Sequence, residues 1–336
     1  MAQTPEARTN RPLLEVRDLS ISFARPGGET SITRNVSFDV NAGERVGVVG
    51  ESGCGKTVTG LALLGLLPSR TARIRGRILF QGRDLLTMPA REFRRLRGRD
   101  ISMIFQEPMS ALDPVFTVGE QLTETLRSHE KVSRAEARER AIAALEEVGI
   151  PSPHTRIDEY PYQFSGGMRQ RVMIAMALIC RPKLVIADEP TTALDVTVQA
   201  QIIDLLRSLS DSHGTALLFI THDLGVVAET CSRLLTMYAG EVVENAPVDD
   251  VLIRPGHPYS SGLLRSLPGL SERGSRLPSI PGRVPAPDHM PAGCRFQQRC
   301  PHAAPLCEQH PELEPFQDLR EVRCWRKDEL TLTGAV

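Results

Sequence analysis

Short, unbroken apolar runs recur along this chain, and each stops at a glycine or a polar residue. Residues 46–49, 101–105, 184–187 and 216–220 are such runs. A strand covered on both faces loses the alternation of apolar and polar positions, so the four predict buried strands of a parallel sheet. Shorter segments at 13–16, 20–23 and 36–40, with the loop 25–28 before the last, predict a small antiparallel sheet ahead of them. Residues 77–80 and the turn 81–83 read as a further strand, followed by an arginine-rich helix over 91–97. Helical spacing governs 58–67, 117–130 and 133–148, where Ala137, Ala141, Ala144, Leu145 and Val148 share a face and Ser133 with Glu136 suggests a capping box. A later amphipathic helix carries Ile202, Leu205, Leu206 and Leu209. The pattern is an α/β core with a helical insertion at about 107–164.

The ends of the apolar runs hold the chemistry. After 46–49 comes Gly50-Glu51-Ser52-Gly53-Cys54-Gly55-Lys56-Thr57, two glycines, a lysine and a hydroxyl at phosphate-loop spacing between strand and helix. Glycines let backbone N–H groups close round a phosphate, and the helix N-terminus adds positive potential. Lys56 would reach the β- and γ-phosphates and Thr57 would ligate magnesium. Gln106 follows the second run, at the carboxyl edge where ligands bind in parallel α/β sheets. Asp188-Glu189 ends the third, and two adjacent carboxylates there call for a magnesium ion and an attacking water. Asp188 fits the magnesium side and Glu189 the general base. His222 follows the fourth run, placed to donate to a γ-phosphate oxygen. Ser165-Gly166-Gly167 opens another helix, with the serine as cap, and forms a second anion-binding end. Phe23 is either a stacking surface for adenine or a core residue.

Composition narrows the partners. A net charge of -1 gives no global reason for nucleic acid or an anionic membrane surface, and the arginines at 91–97 lie among acidic residues, as on a solvated helix face. The leader at 1–12 is polar, and no stretch approaches the roughly 20 apolar residues of a membrane span, so a soluble, cytosolic chain is expected. Of the seven cysteines, Cys294, Cys300, Cys307 and Cys324 crowd near the C-terminus, which in a reducing compartment points to metal rather than disulfides.

Taken in order, these motifs resemble those of the ATP-binding subunit of ABC transporters over residues 13–255. Gly50 to Thr57 is similar to Walker A, Gln106 to the Q-loop, Ser165 to Gln170 to the signature, 184–189 to Walker B, Ala193 to Asp195 to the D-loop and His222 to the switch histidine. Phe164 and Met168-Arg169 replace the commoner leucine and glutamine of the signature. The resemblance implies an α/β P-loop NTPase of ABC type: a RecA-like core, an antiparallel β subdomain and a helical subdomain, with ATP and Mg2+ as cofactors. It further implies magnesium held through Thr57, Gln106 and Asp188, and head-to-tail pairing of two cassettes. Each ATP then lies between one chain's Lys56 and its partner's Ser165, Gly166, Gly167 and Gln170, with Asp195 in the D-loop beside them.

Residues 256–336 narrow the resemblance to the ATPases of oligopeptide and dipeptide importers and their nickel-importing relatives. The carriers are residues 257–264, the proline-rich stretch 278–291 and a C-x5-C-x6-C-x16-C series. Four thiolates so spaced suit a [4Fe–4S] cluster or tetrahedral zinc; the tight C-x2-4-C pairs usual for zinc are absent, and unligated cysteines are the plain alternative. The implied role is a peripheral ATPase on the cytoplasmic face of the membrane. Its partners would be a second, paralogous ATPase, two permease subunits and an extracytoplasmic solute-binding protein. The alternatives are the same role for nickel or another solute, and a soluble ABC ATPase acting on DNA or the ribosome.

Overall fold

The computed structural model of the chain describes residues 11–192, 194–267, 279–317 and 319–335. Strands β1 (Leu14–Arg25) and β2 (Gly28–Val40) form a long hairpin, joined after β3 (Arg45–Val49) and helix α1 (Lys56–Leu63) by β4 (Ala72–Phe80) and β5 (Arg83–Asp84) in the order β2-β1-β4-β5. This is the expected antiparallel sheet, with one difference. The segments 13–16 and 20–23 belong to one strand, because Asp18, at φ 51°, makes a local register shift in β1 rather than a turn. Helix α1 also stops short of the predicted 58–67, at Leu63, followed by a turn through Gly65 at φ 58°.

Helix α2 (Ala90–Leu96) leads to β6 (Ile101–Ile104), and the helical insertion follows as α3 (Pro108–Ala111), α4 (Val118–His129), α5 (Arg134–Glu147) and α6 (Pro153–Arg156). At Ser133 the serine half of the predicted cap forms, its Oγ accepting from Glu136 N at 3.1 Å. The complete reciprocal box is instead at Thr117 and Glu120. Then come α7 (Gly166–Leu178), β7 (Leu184–Asp188), α8 (Val196–His213), β8 (Ala216–Ile220), α9 (Leu224–Thr230), β9 (Arg233–Tyr238), β10 (Glu241–Pro247), α10 (Val248–Ile253) and α11 (Pro258–Arg265).

The large sheet runs β11-β12-β10-β9-β3-β8-β7-β6, where β11 (Glu314–Pro315) and β12 (Glu321–Val322) come from the cysteine-bearing extension. From β9 to β6 the neighbours are parallel; β10, β12 and β11 are antiparallel. Successive residues of the buried strands point to opposite faces. Val185, Ala187, Leu217 and Phe219 join the core shared with the helical insertion, while Leu184, Ile186, Leu218 and Ile220 join the core shared with the antiparallel sheet. Burial on both faces explains why these strands read as unbroken apolar runs. The extension has little regular structure, and it docks through a third core of Tyr238, Ala239, Val243, Tyr259 and Phe296. No described helix is long and apolar enough to cross a membrane.

Candidate functional site

The sheet order β3-β8-β7-β6 brings the four predicted motifs to the carboxyl ends of adjacent strands. There the phosphate loop leaves β3, His222 follows β8, Asp188-Glu189 closes β7, and Gln106 follows β6. A cavity of about 640 Å³ opens between them, lined by Ser52, Gly53, Gly55, Lys56, Thr57, Gln106, Glu189 and His222, with Ile32 and Val58 as apolar wall.

The loop's shape follows from its glycines. A Cβ on Gly50, at φ 157°, would fall 2.1 Å from the Met237 carbonyl oxygen, and one on Gly55, at φ 99°, would fall 2.7 Å from Thr33 Cγ2. Neither position admits a side chain, so the loop can lie close against β9 and β2. Lys56 is 6% exposed and keeps its charge solvated by donating to the carbonyls of Gly50 (2.7 Å) and Glu51 (3.2 Å). Cys54 is buried, its Sγ accepting from Lys56 Nζ at 3.8 Å and its carbonyl from Gly240 N at 3.0 Å.

Thr57 Oγ1 donates to Asp188 Oδ1 at 3.0 Å, which joins the two groups expected on the magnesium side. Asp188 is 3% exposed. Burial pushes its carboxyl above the ordinary range, the Thr57 hydrogen bond opposes this, the neighbouring Glu189 adds to it and Lys56 opposes it. A buried carboxylate held next to a hydroxyl, short of positive charge, suits a hard divalent cation. Gln106 lies beyond this pair, with Nε2 donating to Glu189 Oε2 at 3.3 Å.

Glu189 sits where the chain leaves β7. Its φ is 46°, in the left-handed region that non-glycine residues rarely occupy, and its N–H donates to the Ile220 carbonyl at 2.8 Å. Its carboxylate meets three groups: Thr192 Oγ1 donates at 2.8 Å, Gln106 reaches it at 3.3 Å, and His222 Nδ1 stands 3.5 Å from Oε1. Thr192 was missed by sequence reasoning; a hydroxyl three residues past a candidate base, across a turn, was the available signal.

The remaining predicted residues divide. Ser165 caps α7 by accepting from Met168 N at 3.3 Å, and Gly166 is exposed with open space where a Cβ would stand. Gln170 turns inward: it is buried and donates to the Pro190 carbonyl, tying α7 to the loop after Glu189 instead of facing outward. Asp195 caps α8, accepting from Val198 N at 3.0 Å, while Ala193 lies outside the described residues. Phe23 packs half-buried against the core of the antiparallel sheet and does not line the cavity.

In the extension, Cys294, Cys300, Cys307 and Cys324 line one small pocket with His257, Phe296 and Trp325. Burial pushes the Cys294 thiol up to about 12 and the Cys300 thiol to about 11, and the other three cysteines add to each of the two shifts or to part of it by mutual repulsion. All seven cysteines are free, and no group of three or more His, Cys, Asp or Glu among the described residues is arranged to hold a single metal ion.

Comparison with known proteins matches this geometry. Residues 33–192 fit the ABC transporter family model, and residues 243–307 fit that of the oligopeptide/dipeptide transporter C-terminal region. A probable peptide ABC transporter ATP-binding protein of Sinorhizobium fredii is 53% identical over 95% of this chain and 96% of its own length. The oligopeptide transport ATP-binding protein OppD of Salmonella typhimurium is 51% identical over 94% of this chain and 93% of its own. The dipeptide transport ATP-binding protein DppD of Bacillus subtilis is 48% identical over 94% and 95%. Among solved structures, a dimeric ATP-binding cassette in a post-hydrolysis state with ADP and Pi superposes with a TM-score of 0.62 and 26% identity, covering 70% of this chain and 98% of that one.

Proposed function

This chain belongs to the ATP-binding proteins of ABC transporters, in the oligopeptide and dipeptide branch, and we propose that it hydrolyses ATP to drive uptake of oligopeptides or dipeptides. The observation that carries the reading is the convergence of Lys56, Thr57, Gln106, Glu189 and His222 on one cavity at the carboxyl ends of adjacent strands. Lys56 and the loop N–H groups hold the β- and γ-phosphates. Thr57, Asp188 and Gln106 would hold Mg2+, which would supply positive charge to offset that of the phosphates. Glu189, oriented by Thr192 and Gln106, polarises the attacking water, and His222 donates to the γ-phosphate.

Ser165 and the open face at Gly166 form a second anion-binding helix end, free to meet the nucleotide of a second cassette. Two cassettes, paralogous in this proposal, close around ATP and separate after hydrolysis. The helical insertion at 107–164 passes that motion to two permease subunits, and a solute-binding protein delivers peptide from outside. The chain then sits peripherally on the cytoplasmic face, as a cassette at 13–255 with an extension at 256–336.

The extension is proposed to hold a [4Fe–4S] cluster through Cys294, Cys300, Cys307 and Cys324. Four cysteines share one largely buried pocket, and a cation that takes them as thiolates would offset the cost of burying that charge. The C-x5-C-x6-C-x16-C series lacks the tight C-x2-4-C pairs usual for zinc, which favours the cluster over a single zinc ion. The family model covers three of the four, ending at residue 307.

The deciding experiment is reconstitution of the chain with its permease in vesicles. ATP turnover stimulated by peptide-loaded binding protein, with peptide accumulating inside, supports the reading; stimulation by nickel and not by peptide replaces the solute. Iron, sulfide and zinc analysis of anaerobically purified protein tests the cluster, with about four irons per chain expected and one zinc counting against it.

A further inference from the structure

The cysteine-bearing extension does more than cover the sheet edge: it reaches the phosphate loop itself. All three polar parts of Glu51, the first residue after Gly50, are engaged. Its N–H donates to Tyr259 Oη at 2.9 Å. Its carboxylate accepts from Arg299 Nη1 at 2.7 Å and from Nη2 at 3.0 Å, a two-point pairing. Its carbonyl accepts from Lys56 Nζ at 3.2 Å. Tyr259 is fully buried, and the Arg299 side chain is only 5% exposed. Arg299 is fixed in turn: Nε donates to the Pro281 carbonyl at 2.8 Å, and the guanidinium lies over the Tyr238 ring, 5.6 Å from its centroid. Tyr238 packs on Tyr259 with centroids 4.7 Å apart.

We propose that Arg299 and Tyr259 are positioning residues for the nucleotide, holding the first half of the phosphate loop through Glu51 so that the C-terminal extension sets the affinity for ATP. The proposal rests on residues 50–57 being the nucleotide site. A loop whose N–H groups must all aim at one phosphate loses affinity in proportion to the order it has to gain on binding. Fixing Glu51 at its N–H and carboxylate removes that ordering step, and Glu51 is one of the two residues, with Gly50, whose carbonyls hold Lys56. A purely structural role would lower the amount of folded protein without changing the affinity of what remains, whereas a positioning role weakens binding itself.

The test uses the full chain and equilibrium titration with magnesium and a fluorescent, slowly hydrolysed ATP analogue, beside KM and kcat for ATP. Arg299→Met is expected to weaken binding about tenfold and raise KM in parallel, with kcat at saturation within about twofold. Arg299→Lys, which keeps the charge and loses the fork, recovers part of the loss. Tyr259→Phe, a smaller change to the fold, weakens binding several-fold for the same reason. Glu51→Gln combined with Arg299→Met binds no worse than the weaker single variant, since both remove one contact. Unchanged affinity in Arg299→Met and Tyr259→Phe, or additive losses in the double variant, would overturn the proposal. A fall in kcat with KM unchanged would do the same, because it marks lost folded protein. Lys56→Ala separates the two levels. If it binds the analogue normally, the nucleotide site is misplaced; if it fails to bind while Arg299→Met binds normally, only this inference falls.

Discussion

Two edges of the large sheet carry carboxylates, and they treat them differently. At the carboxyl ends of β7 and β8, Glu189 lines an open cavity, its partners Thr192, Gln106 and His222 stand at 2.8, 3.3 and 3.5 Å, and the His222 side chain is 66% exposed. At the β10 edge, Glu241 is 2% exposed and enclosed by Arg295 at 3.1 Å and His310 at 2.9 Å. Contacts to partners open to solvent cost little to break, and a residue that must exchange partners during a reaction cycle needs them so. Short contacts among buried charges are costly to break and hold one arrangement. The first edge is built for turnover and the second for attachment, so the same type of mutation should strike activity at one and stability at the other.

Glu189→Gln gives the largest effect. Losing the general base should slow ATP hydrolysis by about 10²–10⁴-fold while leaving nucleotide binding intact. Its unfolding free energy should stay within about 0.5 kcal/mol of the parent, because no buried charge is orphaned. Steady-state turnover beside urea unfolding checks both halves. A large stability loss would erase the contrast between the edges, and unchanged turnover would remove Glu189 from the role of base.

Glu241→Ala should show the opposite profile. It strands Arg295, which is 9% exposed, and is expected to cost about 3–5 kcal/mol. Trp325 is the sole tryptophan and lies in the extension, with Nε1 donating to the Gln309 carbonyl at 3.0 Å, so its fluorescence reports loosening of this edge alone. The same pair predicts a pH dependence. Burial pushes the Glu241 carboxyl up, but the His310 hydrogen bond and the charges of Arg295 and Arg323 outweigh it and hold the group below 4.5. A carboxylate depressed in the folded state stabilises above its unfolded value and loses that contribution as pH falls through the folded one. The stability gap between parent and Glu241→Ala should therefore be constant above about pH 5 and close progressively in more acid solution. A gap that widened on acidification would reverse the assignment.

The difference between the edges also explains what could be read from the sequence. Gly50 to Thr57, Asp188-Glu189 and His222 were legible because each follows an apolar run, and parallel pairing brings the ends of such runs together whatever the connections between them. The antiparallel sheet was legible in outline, with β1 divided wrongly at Asp18, where a single left-handed residue gives a bulge that looks like a turn in sequence. Gln170 belongs by position with Ser165 to Gly167, but the helix turns it inward to the Pro190 carbonyl. The contacts of Arg299 and Tyr259 with Glu51 span 248 and 208 residues and join a segment with almost no periodicity to a loop. No local pattern encodes such a pairing, since only the docking of the extension on Tyr238 and Phe296 creates it.

The smallest effect tests how finely the open edge is tuned. Thr192 Oγ1 donates to Glu189 Oε2 at 2.8 Å, the shortest of the three contacts on that carboxylate. A donor on a general base fixes the direction of the carboxylate and so the line along which it meets the attacking water. Thr192→Val keeps the shape and removes the donor, a hydrogen bond to a charged group worth about 1.5–3 kcal/mol. If orientation dominates, kcat should fall by about two- to tenfold with KM for ATP unchanged. An unchanged kcat would assign Thr192 to the turn at 189–192 rather than to Glu189. An increase in kcat would mean that the open edge holds its base too tightly for speed, the reverse of the contrast drawn with Glu241.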